Sequence, residues 1–414
     1  MNQPSNQSRR QFLGGTLTAT VTGSLLQSVT SHAAGEAPPP PAAESGRKIK
    51  VGLVGCGGRG MWLAGLFRNH GGYEFHAVAD YFENVATKAG GDLGVDASRR
   101  FSGLSGYRRL IESGVEAVLV IDVPCFYPEQ ARAAVDAGKH VYVAKPVAVD
   151  VPGTLAIGAA GRLATENNLC FLVDYQLPTA PAAIEVGNRI RSGGLGAMGH
   201  ITSFGMAWQA WPDPVLGDSI EGRLRDEIWL SDTALSGDTI VSYDIHIIDG
   251  IVWVLGKPPV AAMGCSRTLR VDPHGDRTDV AAVVYECGDG TIWTHVTQAL
   301  NNNFDAATLS ASFLGMNATA HLQYSGKVYV RGGAGHYAGE MGNIYNEGAA
   351  RNVAEFHRNI TGGHFGNANV QRAVDGHLAC ILGREAAARN TRLTMEQLLR
   401  ENRRLEVDLK GLKA

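Results

Sequence analysis

The sequence is poor in cysteine and carries no excess of either charge. Six cysteines among 414 residues are too few to hold a fold together by disulfide bonds. The 37 basic and 40 acidic residues give a net charge of −3, so no electrostatic surface for DNA or RNA is expected. No apolar run approaches the ~20 residues of a membrane span, and the histidines show no metal-ligand spacing. We therefore expect a globular protein without a nucleic-acid partner, a membrane span or a bound metal.

Glycine, in contrast, is abundant. The chain has 52 glycines, well above an average usage of about 7%. Such enrichment indicates tight turns and close backbone approaches, for which a phosphate-binding loop is one cause. At roughly one domain per ~150 residues, the length predicts two or three domains.

The N-terminal segment has the order of a twin-arginine export signal. Ser8–Leu13 contains the arginine pair, Gly14–Val29 is mildly apolar, and Ser31-His32-Ala33 supplies small residues for a signal peptidase. We predict a signal peptide over residues 1–33, a proline-rich linker over 34–47, and recognition by the twin-arginine machinery. The protein would then be exported already folded, to the periplasm or another extracytoplasmic space; a disordered basic tail is the alternative.

A glycine-rich loop follows the first predicted strand. Ile49–Val54 is a short apolar run typical of a buried parallel strand. The next residues fit G-x-G-x-x-G and lead into a predicted helix over Met61–Phe67. In this motif the glycines allow a tight turn, close approach to a pyrophosphate and helix–strand packing, and the helix N-terminus favours the phosphates. The predicted cofactor-binding residues of the loop are Gly55, Gly57, Gly58, Arg59 and Gly60.

An acidic residue ends the second predicted strand. Glu74–Ala79 is followed by Asp80, at the spacing where a carboxylate accepts the ribose hydroxyls of a dinucleotide. The same carboxylate repels a 2′-phosphate, and no arginine follows it closely. We therefore predict NAD as the cofactor, with NADP less favoured.

Strand and helix patterns continue to alternate. Ala117–Ile121 and His140–Val143 read as strands, with a helix over Pro128–Gly138 between them. Repeated βαβ units predict a doubly wound Rossmann domain over residues 48–172, with its ligand beyond the carboxyl ends of the strands. Lys145 lies at one such end.

Several motifs now point to one family. Ala137–Pro146 reads A-G-K-H-V-Y-V-A-K-P and resembles the A-G-K-H-V-x-x-E-K-P signature of the Gfo/Idh/MocA oxidoreductases, which include glucose–fructose oxidoreductase and inositol dehydrogenase. Asp174–Gln176 and Ile190–Gly196 resemble the opening of that family's second domain, and His246–Asp249 resembles its H-x-x-D helix. The resemblance extends from about Lys48 to Leu399.

The resemblance implies a C-terminal α/β domain, here over residues 173–414. In the family this domain carries a large, mostly antiparallel open sheet, which commonly mediates oligomers and forms one wall of the substrate cleft. We therefore expect a homo-oligomer. The sequence agrees with such a domain, since it predicts strands over 260–271, 280–287, 291–299 and 308–314 and helices over 349–359 and 370–389. Cys265 and Cys287 flank a predicted hairpin; buried free thiols are favoured, and a bond between them is left open.

Three departures from the family pattern concern the cleft. Ala144 replaces the usual glutamate before the lysine, and Ser242 replaces the usual aspartate before the histidine, with Asp244 nearby. Asp122–Pro128, which includes Pro124, replaces a segment that usually carries two histidines. These changes make the substrate hard to assign by resemblance.

Lys145 and His246 are the two titratable residues that the resemblance places at the reacting centre. Oxidation of a secondary alcohol needs a base for the hydroxyl proton and a donor to the forming carbonyl oxygen. We assign His246 as the base and Lys145 as the group that polarises the oxygen; the exchanged assignment is the alternative. Asp244 is one candidate to orient His246, although residues two apart on a helix face different directions. Ser242, four residues from His246, is better spaced for this role.

The remaining predicted contacts are with cofactor and substrate. Pro124 and Lys145 complete the predicted cofactor site. For the substrate we predict Tyr175, Gln176, Ser242, Asp244 and Trp208, and Trp229 is a further aromatic candidate.

Three functions are compatible with these motifs. The favoured one is an NAD-dependent oxidoreductase that acts on a sugar, a sugar derivative or a cyclitol, with a tightly bound cofactor because the periplasm supplies no nicotinamide nucleotide. The alternative is an NAD-dependent glycosidase or lyase that oxidises, eliminates and re-reduces without net redox change. A nucleotide-binding protein without turnover is disfavoured, because both Lys145 and His246 are present.

Overall fold

A computed structural model describes residues 46–207, 219–270, 275–302, 309–333 and 335–414. The predicted signal peptide, most of the predicted linker and Trp208 lie outside the described residues. No helix in these ranges is long and apolar enough to cross a lipid bilayer.

The first sheet is parallel and doubly wound, as predicted. Its strand order is β3-β2-β1-β4-β5-β6, and every neighbouring pair is parallel. The apolar runs of the sequence form these strands because both faces of the sheet are covered by helices. The strands are β1 Ile49–Val54, β2 Tyr73–Asp80, β3 Arg100–Ser102, β4 Ala117–Val120, β5 His140–Ala144 and β6 Phe171–Asp174; the helices are α1 Gly58–His70, α2 Glu83–Asp92, α3 Gly106–Glu112, α4 Tyr127–Asp136 and α5 Val151–Glu166.

The second sheet is large and mostly antiparallel, which confirms the fold class. Its order is β14-β13-β12-β11-β7-β10-β9-β8-β15, and among the described strands β7 and β10 form the parallel pair. The strands are β7 Met198–Ala207, β8 Ala261–Arg267, β9 Val280–Glu286, β10 Ile292–Ala299, β11 Leu309–Gly315, β12 Ala318–Gln323, β13 Gly326–Gly332, β14 Tyr337–Met341 and β15 Leu393–Thr394.

The helices of the second half of the chain cover one face of the nine-stranded sheet, and two of them also pack on elements of the Rossmann half. Residues of α12 contact α5 and β6 on one side and α10 and β8 on the other, while α11 packs on α1. One continuous apolar core therefore joins both sheets. The helices are α6 Pro181–Arg191, α7 Ile220–Arg223, α8 Thr233–Ser236, α9 Asp238–Ser242, α10 Ile245–Leu255, α11 Ile344–Gly362, α12 Asn369–Arg389 and α13 Met395–Glu401.

The two cysteines near the predicted hairpin are both free. β8 and β9 pair antiparallel, as expected, but Cys265 lies opposite Ala282 rather than Cys287. Cys287 is buried, as predicted for a free thiol, whereas Cys265 is exposed. Its exposure follows from the alternation of β8, which turns this side chain to the open face of the sheet.

Candidate active site

The glycine-rich loop is shaped by two glycines that tolerate no side chain. Gly55 has φ +87°, and a Cβ there would lie 2.4 Å from the carbonyl oxygen of Ile121. A Cβ on Gly60 would lie 2.0 Å from the carbonyl oxygen of Gly55. The loop can therefore turn tightly between β1 and α1 only with glycine at both positions.

The other two glycines face open space. A Cβ on Gly57 or Gly58 would meet no atom within 4 Å, so the packing of the protein does not require glycine there. Both stand at the N-terminus of α1, whose first amides receive no side-chain cap. An uncapped helix N-terminus with room in front of it fits the pyrophosphate of a dinucleotide.

Two carboxylates lie beside this loop, at the ends of β2 and β4. Asp80 accepts hydrogen bonds from the amides of Cys56 and Phe82, each at 2.9 Å. Asp122 accepts from the amide of Val123 and from Gln130. Burial raises the pKa of Asp80, and burial together with Asp80 raises the pKa of Asp122 to about 6.

Asp80 and Asp122 line one cavity of about 350 Å³. The carboxylates make its polar end unfavourable for a 2′-phosphate, in agreement with the prediction from Asp80. Pro124 is buried beside this region, at the start of the 3₁₀ turn Pro124–Phe126.

Arg59 forms an ion pair with the residue that ends β6. Its Nη2 lies 2.7 Å from Oδ2 of Asp174 at the end of β6. Its guanidinium carbon lies 4.4 Å from the ring centre of Trp62 and 4.9 Å from that of Tyr345. Sequence reasoning placed Arg59 on the cofactor only, whereas the structure makes it a link between the glycine-rich loop and the reacting centre.

Lys145 follows β5 and reaches across to the second half of the chain. Its Nζ donates a hydrogen bond of 2.8 Å to the carbonyl oxygen of Ser242 at the end of α9. Burial and the positive charge of Arg59 lower the pKa of Lys145 to about 7, against the opposing effects of Asp174 and Asp244. The amine is therefore able to gain or lose a proton near neutral pH.

His246 is buried and belongs to a chain of hydrogen bonds. Its Nδ1 lies 2.8 Å from the hydroxyl of Tyr324, and that hydroxyl donates to Oε1 of Gln176 at 2.7 Å. Nε2 of Gln176 donates to Asp174 at 3.0 Å. Asp174 also accepts from Arg59 and from Asn352, so its carboxylate anchors the chain.

The direction of these bonds fixes the tautomer of His246. Since the amide nitrogen of Gln176 donates to Asp174, the amide oxygen of Gln176 faces Tyr324 and accepts a hydrogen bond from its hydroxyl. The oxygen of Tyr324 then accepts from Nδ1–H of His246, which leaves a lone pair on Nε2. Burial, Lys145 and Arg59 lower the pKa of His246, so the ring is neutral at pH 7. A neutral imidazole with a free Nε2 is suited to accept a proton.

Replacement of Tyr324 by phenylalanine is expected to lower kcat by about tenfold to a hundredfold, because Nδ1 loses its acceptor and the ring is no longer held in one tautomer. Steady-state kinetics over pH 5–9 would measure this, with an accompanying change in the pH profile. Tyr329→Phe on β13 is the matched control, because Tyr329 lies outside the chain of bonds and stacks on His321. Equal kcat and pH profile in Tyr324→Phe and the unaltered protein would contradict the role of Tyr324.

Asp244 and Ser242 do not orient His246, contrary to one use that the sequence suggested for them. The carboxylate of Asp244 lies 3.0 Å from Nε2 of His295 on β10, and His295 bonds in turn to Ser203. Asp244 stands at the N-cap position of α10 without making a side-chain cap hydrogen bond, and it turns towards the sheet, where a Cβ on Gly205 would lie 1.8 Å from its Oδ1. Ser242 contributes its backbone carbonyl to Lys145.

The predicted substrate contacts after β6 are buried. Gln176 has no exposed surface and lies behind Tyr324, while Tyr175 is buried with its hydroxyl unpartnered among the described residues. Trp229 packs in an apolar cluster around Val123, Leu224 and Leu235. Trp208 lies outside the described residues.

Comparison with known proteins agrees with this geometry. Residues 49–175, which contain the glycine-rich loop, Asp80, Lys145 and Asp174, match the model of the Gfo/Idh/MocA family, described as an oxidoreductase family with an NAD-binding Rossmann fold. Over residues 49–175 the chain is similar to the Gfo/Idh/MocA oxidoreductases.

Curated proteins match this chain over part of its length. Myo-inositol dehydrogenase Hyg17 of Streptomyces leeuwenhoekii is 27% identical over 181 residues, which are 42% of this chain and 49% of that protein. Glycosyl hydrolase family 109 protein 2 of Shewanella sp. (strain ANA-3) is 27% identical over 210 residues, 46% of this chain and 44% of that protein. The chain thus spans about half the length of the curated relatives that it matches.

A solved structure of the same fold covers both sheets. The levoglucosan dehydrogenase in complex with NADH and levoglucosan superposes with a TM-score of 0.69 and 17% identity, over 85% of this chain and 100% of that chain. The nine-stranded sheet therefore belongs to the shared fold.

Sequence reasoning missed Tyr324, Asn352 and His295. Tyr324 follows β12 in a hairpin, 78 residues from the histidine that it contacts. Its local signal is an ordinary turn sequence, Tyr324-Ser325-Gly326, so only the pairing of β12 with β13 reveals its position.

Proposed function

We propose that this protein is an NAD-dependent oxidoreductase that transfers a hydride between the nicotinamide and a secondary hydroxyl of a sugar, a sugar derivative or a cyclitol. The observation that carries the proposal is the buried His246, whose Nδ1 lies 2.8 Å from the hydroxyl of Tyr324 and whose pKa is lowered by burial and by the nearby Lys145. The inositol dehydrogenase and levoglucosan dehydrogenase among the similar proteins support this substrate class.

The residues have separate tasks in this reaction. When bound, NAD would supply the hydride acceptor: the carbinol carbon would lose a hydride, which carries both electrons, and the hydroxyl would lose a proton. Nε2 of His246 takes that proton, because the imidazole is neutral and its Nδ1–H is already hydrogen-bonded to Tyr324. Protonated Lys145 donates a hydrogen bond to the oxygen that becomes the carbonyl. Gly57, Gly58 and Asp80 would hold the phosphates and the ribose.

The twin-arginine pattern supports export of the folded protein with its cofactor already bound. Export to the periplasm separates the protein from the cytoplasmic pool of nucleotides, so turnover there requires a retained cofactor. A second substrate would then regenerate the cofactor, or each catalytic cycle would return the hydride.

The second possibility is a redox-neutral glycosidase or lyase, which the family 109 glycosyl hydrolases among the relatives favour. A ring hydroxyl is oxidised, the neighbouring C–H is deprotonated, and the aglycone leaves with its bonding pair. Water then adds to the unsaturated ring, and the carbonyl recovers the hydride removed in the first step. Lys145 and His246 supply the proton transfers in either reaction.

One experiment separates these functions. The protein is purified from its native compartment, bound nucleotide is released by denaturation and identified, and intact protein is incubated with a panel of sugars, cyclitols and aryl glycosides. Reduced nicotinamide that accumulates to one equivalent and stops would indicate the oxidoreductase. Free aglycone without reduced nicotinamide would indicate the glycosidase. Nucleotide binding without either product would refute both reactions.

The open face of the second sheet supports an oligomer. Phe204 on β7 and Val296 on β10 are paired across the sheet and remain 38% and 39% exposed. Val284 on β9 and Met263 on β8 continue this apolar face. Contiguous exposed apolar surface is typical of an interface, and we propose that two or more copies pack through this sheet.

Phe204→Asp is expected to dissociate the oligomer, because the interface would bury an unpaired carboxylate. Light scattering after size-exclusion chromatography would detect the lower mass. Leu155→Asp is the control, since Leu155 is 40% exposed on α5 of the Rossmann domain. An unaltered protein that is already monomeric, or an unchanged mass in Phe204→Asp, would contradict this interface.

A further inference from the structure

The last residues of the chain form a tail, 402–414, that follows α13 and carries a two-residue pattern. Leu405, Val407 and Leu409 are partly buried, whereas Glu406 and Asp408 between them are exposed. The pattern is that of an extended segment with one face on the protein. The tail begins after the second sheet, at β15 and α13, but it packs on the Rossmann domain.

Hydrogen bonds fix the tail along that domain. The amide of Leu405 donates to Oδ2 of Asp150, the residue that caps α5, at 2.9 Å. The amide of Leu104 donates to the carbonyl oxygen of Lys413 at 3.0 Å, and the amide of Lys413 donates to the hydroxyl of Tyr81 at 3.2 Å. Tyr81 directly follows Asp80, so the tail is bound next to the carboxylate predicted to hold the ribose.

The approach of the tail depends on a glycine. Gly103 has φ +83°, and a Cβ there would lie 2.2 Å from the carbonyl oxygen of Ala414. The apolar side chains Val407 and Leu412 pack in the cluster around Val123, which adjoins Asp122. The loop after β3 and the loop after β4 therefore both contact the tail.

The tail lines the same cavity as the two carboxylates. Leu409 and Ala414 form part of the wall of the cavity of about 350 Å³, together with Rossmann residues that include Asp80 and Asp122. A cavity with an acidic end and apolar walls suits a ribose joined to a flat heterocycle. Its position after the strands β2 and β4 is the adenosine end of a dinucleotide site, whereas Lys145 marks the nicotinamide end.

We propose that the tail forms one wall of the adenosine subsite and slows the release of the dinucleotide. The proposal rests on the proposed function, because it requires a dinucleotide in the Rossmann domain. It also provides a physical basis for cofactor retention in a protein that is exported with its cofactor. Burial of one leucine side chain against the adenine contributes a factor of about ten in affinity.

Calorimetry with two half-ligands tests the tail directly, without turnover. ADP-ribose probes the adenosine end, and nicotinamide mononucleotide probes the other end. Leu409→Ala is expected to weaken ADP-ribose binding about tenfold and to speed NAD release by a similar factor, with mononucleotide binding unchanged. A chain that stops after Arg404 should show a larger effect of the same kind. Glu406→Ala, which alters an exposed side chain of the tail, should match the unaltered protein.

The outcomes distinguish the tail from the cofactor itself. Unchanged ADP-ribose affinity and NAD release in both variants would overturn the role of the tail, and so would equal weakening of both half-ligands, which indicates damage to the whole fold. Failure of the unaltered protein to bind ADP-ribose or NAD would instead refute the proposed function.

Discussion

Replacement of Lys145 by methionine is expected to lower kcat by about 10³-fold while NAD still binds. The methionine side chain keeps the length of lysine but cannot donate a hydrogen bond to the substrate oxygen. The amine also bridges β5 to the carbonyl of Ser242, so both halves of the cleft lose this contact. Single-turnover formation of reduced nicotinamide, followed by absorbance, measures the chemical step separately from cofactor binding.

Stability distinguishes this loss from unfolding. The pKa of Lys145 falls from 10.5 to about 7 on burial, so between these values the unfolded chain binds more protons than the folded one. Stability of the unaltered protein from this group therefore rises as pH increases from about 7 to about 10.5. Lys145→Met should lack that rise and be at least as stable at pH 7. Lys139→Met, just before β5, should keep full activity; loss of activity there, or full activity in Lys145→Met, would contradict the assignment.

Replacement of His246 by glutamine is expected to lower kcat by about 10²–10⁴-fold, because the amide cannot accept the hydroxyl proton. The pH dependence of kcat/KM in the unaltered protein would distinguish His246 from Lys145 as the base. With His246 as base, activity in the oxidative direction should be flat below pH 7, since the pKa of His246 is lowered. It should fall above about 7 as Lys145 loses its proton.

The exchanged assignment gives the opposite slope. If Lys145 were the base, kcat/KM would rise through about pH 7, and His246→Gln would retain most of the activity. His321→Gln is the matched control: burial lowers the pKa of that histidine too, but its bond to Ser312 places it on the outer face of the second sheet. Its kcat and pH profile should equal those of the unaltered protein.

The Rossmann half could be predicted from the sequence because its signals are local. The strands β1, β4 and β5 are short, mostly apolar runs, and the loop glycines stand at fixed spacing between β1 and α1. The structure shows why Gly55 and Gly60 cannot change, since a side chain at either position would meet backbone atoms. Strand ends differed from the predicted ones by a residue or two, as expected where the hydrogen bonds of an element end.

The cleft could be predicted only in part because its contacts are distant in sequence. Lys145 and His246 carry family patterns, but the partner of His246 is 78 residues away, and Asp244 contacts His295 across 51 residues. Spacing along a helix favours Ser242 over Asp244 as a partner of His246, whereas the structure pairs His246 with Tyr324 and turns Asp244 to His295 on β10. The alternating pattern of the tail is visible in the sequence, but its docking on Gly103 and Tyr81 is not.

The ion pair between Arg59 and Asp174 has a consequence for engineering. Arg59 is in the first turn of the helix that faces the phosphates, and Asp174 anchors the bonds that end at the imidazole. Any redesign of that first turn will therefore disturb the hydrogen bonds that orient His246 as well as the affinity for the nucleotide. A change of coenzyme preference is better begun at Asp122, whose hydrogen bonds to Val123 and Gln130 remain within its own loop and the helix that follows it.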